Sequence, residues 1–337
     1  MNSQEKLPGL PSEIVAILRC PACESELRLR DEDLVCEECG HVFPMVRGVN
    51  RFVEKQNYAG SFGFQWHRYA QTQLDGPGHT ASEARFRQRT GFTPEELRGK
   101  LVLDVGCGMG RFVEVARRWG ARVVGVDLST AVEVAAQNLS DRDGVSFFQA
   151  DAFALPFAAE SFDVIYSVGV LHHTPDCERA FKGLTKFLKP GGTIAIWLYS
   201  KYNKWYRFSD IYRKFTHRLP PKVLNRLCYV AVPMYYAYRG LRLIPFIGPP
   251  ASGLLHHVFP TSLNPNAQKR VLDTFDWYSP KYQSKHTYEE VFRWFESCGL
   301  ESLRVLYQPI GVQGRKPLKR VEIDSRAKAF SESGSFM

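Results

Sequence analysis

The 337-residue sequence predicts an α/β fold built on a doubly wound, mostly parallel sheet, and three features carry that prediction. Residues 101–112 read LVLDVGCGMGRF: an apolar strand with Asp104 near its end, then Gly106, Gly108 and Gly110, running into the helix-like FVEVARRWG. Glycine lets the chain turn at positive φ and lets a ligand approach the main chain. The helix that follows offers free N–H groups and the positive end of its dipole. A second strand, RVVGVDLS at 122–129, carries Asp127 at its end, where a carboxylate suits a pair of ribose hydroxyls. Strand-like and helix-like segments then alternate as far as residue 198, the pattern of a parallel sheet with helices on both faces.

Ahead of that core, residues 20–39 read CPACESELRLRDEDLVCEEC. Cys20 with Cys23 and Cys36 with Cys39 form two C-x-x-C pairs, and a short hairpin (LRLR, then LVCEE) brings them together. Four thiolates suit tetrahedral Zn²⁺ with no open position, so the metal is structural; iron is the chemical alternative. The segment is too small for a core of its own and is expected to fold on its metal, apart from the main core. Residues 58–69, YAGSFGFQWHRY, are dense in aromatics and read either as a lid over a site or as packing. Residues 71–82 read as a loop, 82–88 and 94–97 as helices, the latter with Thr93 as N-cap and Pro94 at its first position.

Strands are expected at 101–105, 122–126, 145–149, 162–167 and 192–198, with helices at 110–119, 130–138 and 177–188. After Tyr199 an insertion of about eighty residues begins, rich in Lys, Arg and aromatics. Such a composition has three readings: nucleic-acid binding by charge and stacking, a membrane interface, or an amphipathic helical cap packed on the core, which the balance favours. Residues 248–266 read as a loop, as do 271–288, a polar-aromatic stretch suited to a binding site. An amphipathic helix at 287–298 and a closing antiparallel hairpin at 300–307 and 311–315 follow, then a polar tail.

Hydrophobic residues make up 44% and charged residues 23% of the chain, ordinary for a globular protein, and the net charge of +9 is a mild bias towards anionic partners. No leader-like run opens the sequence and no apolar stretch is long enough to span a bilayer; with cysteines spaced for metal, a cytoplasmic location is expected.

The loop G-C-G-M-G with Asp104 before it, the stretch FFQADAFALPFAAESFDVIYSVGVLHHTPD at 147–176 and LKPGGTIAIWLY at 188–199 together resemble the class I S-adenosylmethionine (SAM) methyltransferases. The Cys-pair segment resembles the small zinc ribbons that accompany some of them. The resemblance implies a seven-stranded sheet and this layout: zinc ribbon 1–57, lid or linker 58–98, SAM-binding core 99–200, cap insertion 201–284, C-terminal part of the core 285–318, and tail 319–337. It also implies SAM as methyl donor. Asp104, Gly106, Cys107, Gly108 and Gly110 then fall at its methionine part, Asp127 and Leu128 at the ribose, Asp151 and Ala152 at the adenine, and Val168 near the sulfonium.

Methyl transfer is an in-line displacement on an already activated carbon, so catalysis rests on positioning, helped by a base for the acceptor's proton. His172 is the expected base, with Asp276 or Tyr278 orienting the acceptor. Trp66, His67, His173, Lys281 and Tyr282 are expected to share one substrate cavity with them. The leading functional expectation is methylation of a small or biosynthetic molecule: a sugar, lipid or natural-product intermediate. The alternative is an RNA methyltransferase using ribbon and basic cap, since a zinc ribbon before a SAM domain resembles the ribosomal-RNA guanine methyltransferases. Against it, the fourth strand ends in SVGV, without the Asn/Asp-Pro-Pro-Tyr motif of base-amino methylation. A non-catalytic SAM-binding scaffold is the third reading. A peripheral membrane contact or lipid-linked acceptor stays open, and oligomeric state is unassigned.

Overall fold

Short N-terminal elements come first: α1 (Ser12–Ile17), β1 (Arg28–Arg30), β2 (Asp33–Val35), β3 (Val42–Phe43), β4 (Met45–Val46) and β5 (Val49–Arg51). The computed structural model describes residues 10–31, 33–54, 57–76, 81–202 and 207–318. The polar tail at 319–337 and the insertion's Trp205 and Tyr206 lie outside the described residues. Next are α2 (Gly60–Arg68), α3 (Ala81–Thr90) and α4 (Pro94–Leu97). In α4, Thr93 and Glu96 bond each other's backbone N–H groups in a capping box.

The βα core follows as β6 (Leu101–Val105), α5 (Arg111–Arg118), β7 (Arg122–Asp127), α6 (Ala131–Asn138), β8 (Val145–Gln149), β9 (Phe162–Val168), α7 (Cys177–Leu184) and β10 (Leu188–Trp197). The insertion holds α8 (Arg207–Thr216), α9 (Pro221–Cys228), α10 (Ala231–Leu241), α11 (Gly248–Val258) and α12 (Ala267–Tyr278). The chain then closes with α13 (Tyr288–Ser297), β11 (Glu301–Val305) and β12 (Gly311–Arg315).

The main sheet runs β11-β12-β10-β9-β6-β7-β8-β5-β4, with strand order reversing beside β6. Strands from β10 through β5 are parallel, and β12, β11 and β4 are antiparallel to their neighbours. Seven of these strands match the expected sheet. The other two, β4 and β5, come from the N-terminal segment, with Asn50 registered on Phe148. A second sheet, β1-β2-β3, carries the expected Cys hairpin.

Alternation along the central strands splits the core in two. Leu103, Val105, Val124 and Ile165 join α7, α13 and the N-terminal segment on one face. Val102, Val123 and Tyr166 join α3, α5 and α6 on the other. The first cluster includes Ile14, Leu18, Leu34 and Phe43, together with two of the paired cysteines, Cys20 and Cys36. The ribbon therefore shares the main core, which corrects the expectation that it folds apart. Glu133 in the first turn of α6, 7% exposed, binds Arg51 and, at 2.8 Å, Arg47. Asn57 donates to the Leu128 carbonyl at 2.9 Å, beside Asp127.

Two stretches read as loops are helical. In the 248–266 stretch, Pro249 and Pro250 lie in the first turn of α11, where proline fits. In α12 the buried face includes Arg270 and Thr274 beside Val271, Leu272 and Phe275, so its periodicity is hidden by polar residues. Arg270 reaches the carbonyls of Asn264 and Pro265 and lies 3.7 Å over the Tyr235 ring. Asn266 caps α12 at the Lys269 N–H. The 58–69 segment is also largely helical, as α2. The expected helix at 177–188 gives way after Leu184 to a 3-10 turn and β10.

Candidate active site

The glycine loop sits at the carboxyl end of β6, where strand order reverses and a crevice opens. Gly106 and Cys107 donate their N–H groups to the Val126 carbonyl at 2.8 and 3.0 Å, binding the loop to β7. Gly106 has φ +84°, and a Cβ there would lie 2.3 Å from the Val170 methyls. Gly108 faces the Trp66 indole, whose Nε1 would lie 3.2 Å from an added Cβ.

Asp127 holds the far wall. One carboxylate oxygen accepts from Gly108 N at 2.9 Å; the other accepts from Ser129 N and Oγ at 2.8 and 2.7 Å. A carboxylate has about four acceptor positions, so one stays open to the crevice. Burial pushes this carboxyl up, opposed by the bonds from Ser129 and Gly108.

Two connected hollows flank the loop. The larger, about 360 Å³, runs from Gly106, Gly108 and Asp127 past Val168, Trp66 and His173 to Asp276, within the usual size of a small-molecule site. The smaller, about 60 Å³, lies among Leu128, Asp151, Ala152 and Tyr58. Gly106, Asp127, Phe62, Val170 and His173 line both. The cradle at Gly106–Gly108, which a Cβ would fill, the open acceptor on Asp127 and the apolar recess beside Asp151 fit the methionine, ribose and adenine parts of SAM. Asp104 is 2% exposed and lies beneath the loop, outside the lining of either hollow. Burial and the Asp127 charge push its carboxyl well up. Cys107 lines the larger hollow and Gly110 opens α5 in the left-handed conformation.

The two histidines separate. On the 3-10 turn Leu171–His173, His172 is fully buried, has no hydrogen-bond partner on either ring nitrogen and stacks on Tyr199 at 3.9 Å. It does not line the larger cavity. His173 does, and its Nδ1 lies 3.0 Å from the Tyr282 carbonyl. Donation to that carbonyl fixes the tautomer and leaves Nε2 as an acceptor. Burial pushes its pKa down to about 4, keeping the ring neutral.

Asp276 accepts from the Tyr199 hydroxyl at 2.9 Å and from Gln65 at 3.4 Å. Burial raises its pKa, which makes it a stronger proton acceptor than a surface carboxylate.

The remaining candidates lie elsewhere. Tyr278 donates to the Pro260 carbonyl at 2.6 Å and does not line this cavity. His67 borders a separate surface recess with Arg47 and Glu133. Lys281 is exposed over the Tyr282 ring, which packs edge-on against Tyr58. The cavity thus joins Trp66, His173 and Asp276 and leaves out His172, His67, Tyr278, Lys281 and Tyr282. The cause is local: α12 is a helix, so Tyr278 turns to the cap and Asp276 to the site.

Among the cavity residues that escaped the sequence reading are Gln65 and Tyr199, already described, and three arginines, Arg85, Arg89 and Arg111. Arg89 lies 3.9 Å over the Trp197 ring, and Arg111 donates to Gln73 and Ser82. Burial and the neighbouring guanidinium charges lower Arg89 to about 10 and Arg111 to about 9. A wall so crowded with cations favours an anionic ligand group. The Arg85/Arg89 spacing of four on one helix was the available signal.

In the N-terminal segment the Sγ atoms of Cys20, Cys23, Cys36 and Cys39 all lie within 4.8 Å of one another, with three pairs at 3.4–3.5 Å. Tetrahedral zinc with bonds of about 2.3 Å sets sulfurs about 3.8 Å apart, so the cluster fits zinc.

A methyltransferase domain matches residues 103–196 and a Trm112p-like domain residues 13–48. Methyltransferase GfsG of Streptomyces halstedii is 42% identical over 105 residues, 29% of this chain and 37% of that one. The ubiquinone biosynthesis O-methyltransferase of Coxiella burnetii is 33% identical over 128 residues, 37% of this chain and 55% of that one. The chain spans between about a third and a little over half of these relatives' length. A SAM-dependent methyltransferase structure from Mesorhizobium loti is 32% identical over 34% of this chain and 52% of that one, with a TM-score of 0.31. The chain thus carries a SAM-dependent methyltransferase domain over residues 103–196, joined to a Trm112p-like segment over residues 13–48 that bears the four-cysteine cluster.

Proposed function

We propose that the chain methylates a small biosynthetic molecule carrying an anionic group, with SAM as donor. The observation that supports this most is the shape of the larger cavity. It reaches from the glycine loop to Asp276 beneath α2 and α12 and, at about 360 Å³, has the size of a small-molecule pocket rather than the length of a groove that tracks an RNA strand. SAM bound there supplies a methyl group on a cationic sulfur. Trp66 closes the pocket over Gly108. Arg85, Arg89 and Arg111 hold carboxylate or phosphate oxygens. Asp276, steadied by Tyr199 and Gln65, takes the acceptor's proton, and His173 Nε2 accepts a hydrogen bond from the acceptor. His172 positions Tyr199 by stacking and touches no substrate. The zinc ribbon is structural.

The test is conversion of SAM to S-adenosylhomocysteine by the purified protein with metabolite, lipid and RNA fractions from the native cell. Turnover is expected with metabolite or lipid fractions. Asp276→Asn should lower it by about 10²–10⁴ with little change in SAM affinity. Turnover on RNA alone would overturn the proposal, and SAM binding without turnover on any fraction would favour the scaffold.

A further inference from the structure

We propose that the α10–α11 hairpin is an interfacial anchor that seats the cap on a bilayer containing anionic lipid. The hairpin tip reads LRLIPFIG. There Leu243 is 83% exposed, Phe246 96% and Ile247 71%. Phe246 has φ +60°, a conformation that bulky residues rarely adopt, so a large apolar side chain is held in solvent where a small or polar one would be cheaper. The tip is firmly mounted. The Tyr238 hydroxyl binds the Phe259 carbonyl at 2.5 Å and Ser252 binds the Tyr238 carbonyl at 3.0 Å, joining the two arms. Buried Arg270, over the Tyr235 ring, ties α10 to α12.

Helix α9 carries exposed apolar side chains of its own. Leu224 and Cys228 face the cap's interior, while Val223 and Leu227, with Val230 just past the helix end, are exposed on the outside. A helix apolar on two faces needs a second apolar medium.

Charge selects the occupant. Between Ile211 and Leu272 the sequence has no Asp or Glu and nine Lys and Arg. Arg239 stands just before the tip and Arg242 within it, and Lys222 and Arg226 flank the exposed residues of α9. At the tip, Leu243, Ile244 and Ile247 surround the single aromatic Phe246 beside basic residues, which matches a leaflet of acyl chains under anionic headgroups better than the run of stacking aromatics a single strand needs. No helix among the described residues is long and apolar enough to cross a membrane, so the contact lies in the interface. The inference is independent of the acceptor's identity.

The experiment is co-sedimentation of the full chain with vesicles of phosphatidylcholine, alone or with about 30% phosphatidylglycerol. The wild type should bind the anionic vesicles, about tenfold or more tighter than the neutral ones, and lose binding as salt rises. Leu243→Ser/Phe246→Ser/Ile247→Ser should lose at least about tenfold in vesicle binding with unchanged melting temperature and SAM affinity. Arg239→Glu/Arg242→Glu should lose the preference for anionic vesicles. Absence of vesicle binding, or equal binding by the triple serine variant, would overturn the proposal. So would a wild-type dimer made monomeric by that variant without lipid binding, or RNA binding in place of vesicle binding.

Discussion

Replacing Glu133 with alanine should destabilise the whole protein, although Glu133 touches neither the SAM cradle nor the zinc cluster. Its carboxylate sits in the first turn of α6 and joins Arg51 from the ribbon's last strand. Both side chains are largely buried, at 6% and 11% exposure, and Arg51 Nε already lacks a partner. Truncating one member of a buried pair leaves the other's charge uncompensated, at a cost of roughly 3–5 kcal/mol. The second partner, Arg47, is 73% exposed and adds little. Taking about 3 kcal/mol, the melting temperature should fall by on the order of 4–5 °C in a chain of this length. Differential scanning calorimetry should show one transition, moved down as a unit, because the ribbon and the sheet share a core. Glu133→Leu combined with Arg51→Met should recover much of the loss, since a well-packed apolar pair replaces an ion pair at little cost. A variant melting within about 1 °C of wild type would refute the coupling, as would an early transition of the ribbon alone with the main transition unmoved.

The four-cysteine cluster should hold one zinc per chain by elemental analysis, and chelation should lower the stability of the entire core, because Cys20 and Cys36 are buried within it. Iron in its place, or loss of the ribbon alone, would contradict this. Gly106→Ala should abolish measurable SAM binding in a folded protein, since its Cβ would lie 2.3 Å from Val170; retained affinity by calorimetry would count against the cradle. His173 is held neutral, its pKa lowered from 6.5 to about 4, so the unfolded chain takes up the proton first. Stability should therefore be untouched above pH 6.5 and fall as pH drops from 6.5 towards 4, by up to roughly 3 kcal/mol. Chemical denaturation across that window, with His173→Gln flattening the slope, checks it.

The glycine loop, Asp127 and the paired cysteines were legible because each is a local pattern tied to one chemistry. Thr93 and Pro94 named the start of α4 for the same reason. What escaped was nonlocal or hidden by polarity. Strands β4 and β5 are two and three residues long, and β5 pairs with a strand nearly a hundred residues away, so they leave no local period. Helix α12 buries Arg270 and Thr274, which read as surface residues, and that error carried Tyr278 into the expected cavity. His172 and His173 are adjacent in sequence. Only the 3-10 turn and the ring of Tyr199 decide which of them meets the cavity. The ion pair of Glu133 with Arg51 joins residues far apart in the chain and had no sequence signal.

The most direct test of SAM binding at this cradle is isothermal titration calorimetry of SAM on wild type and Asp127→Ala, with melting curves to confirm that both are folded. Asp127 keeps one acceptor position for the ribose beyond its bonds to Gly108 and Ser129. Loss of a charge-assisted hydrogen bond should weaken SAM by about 1.5–3 kcal/mol, roughly ten- to hundredfold in Kd. A folded Asp127→Ala protein that binds SAM as tightly as wild type would contradict the assignment.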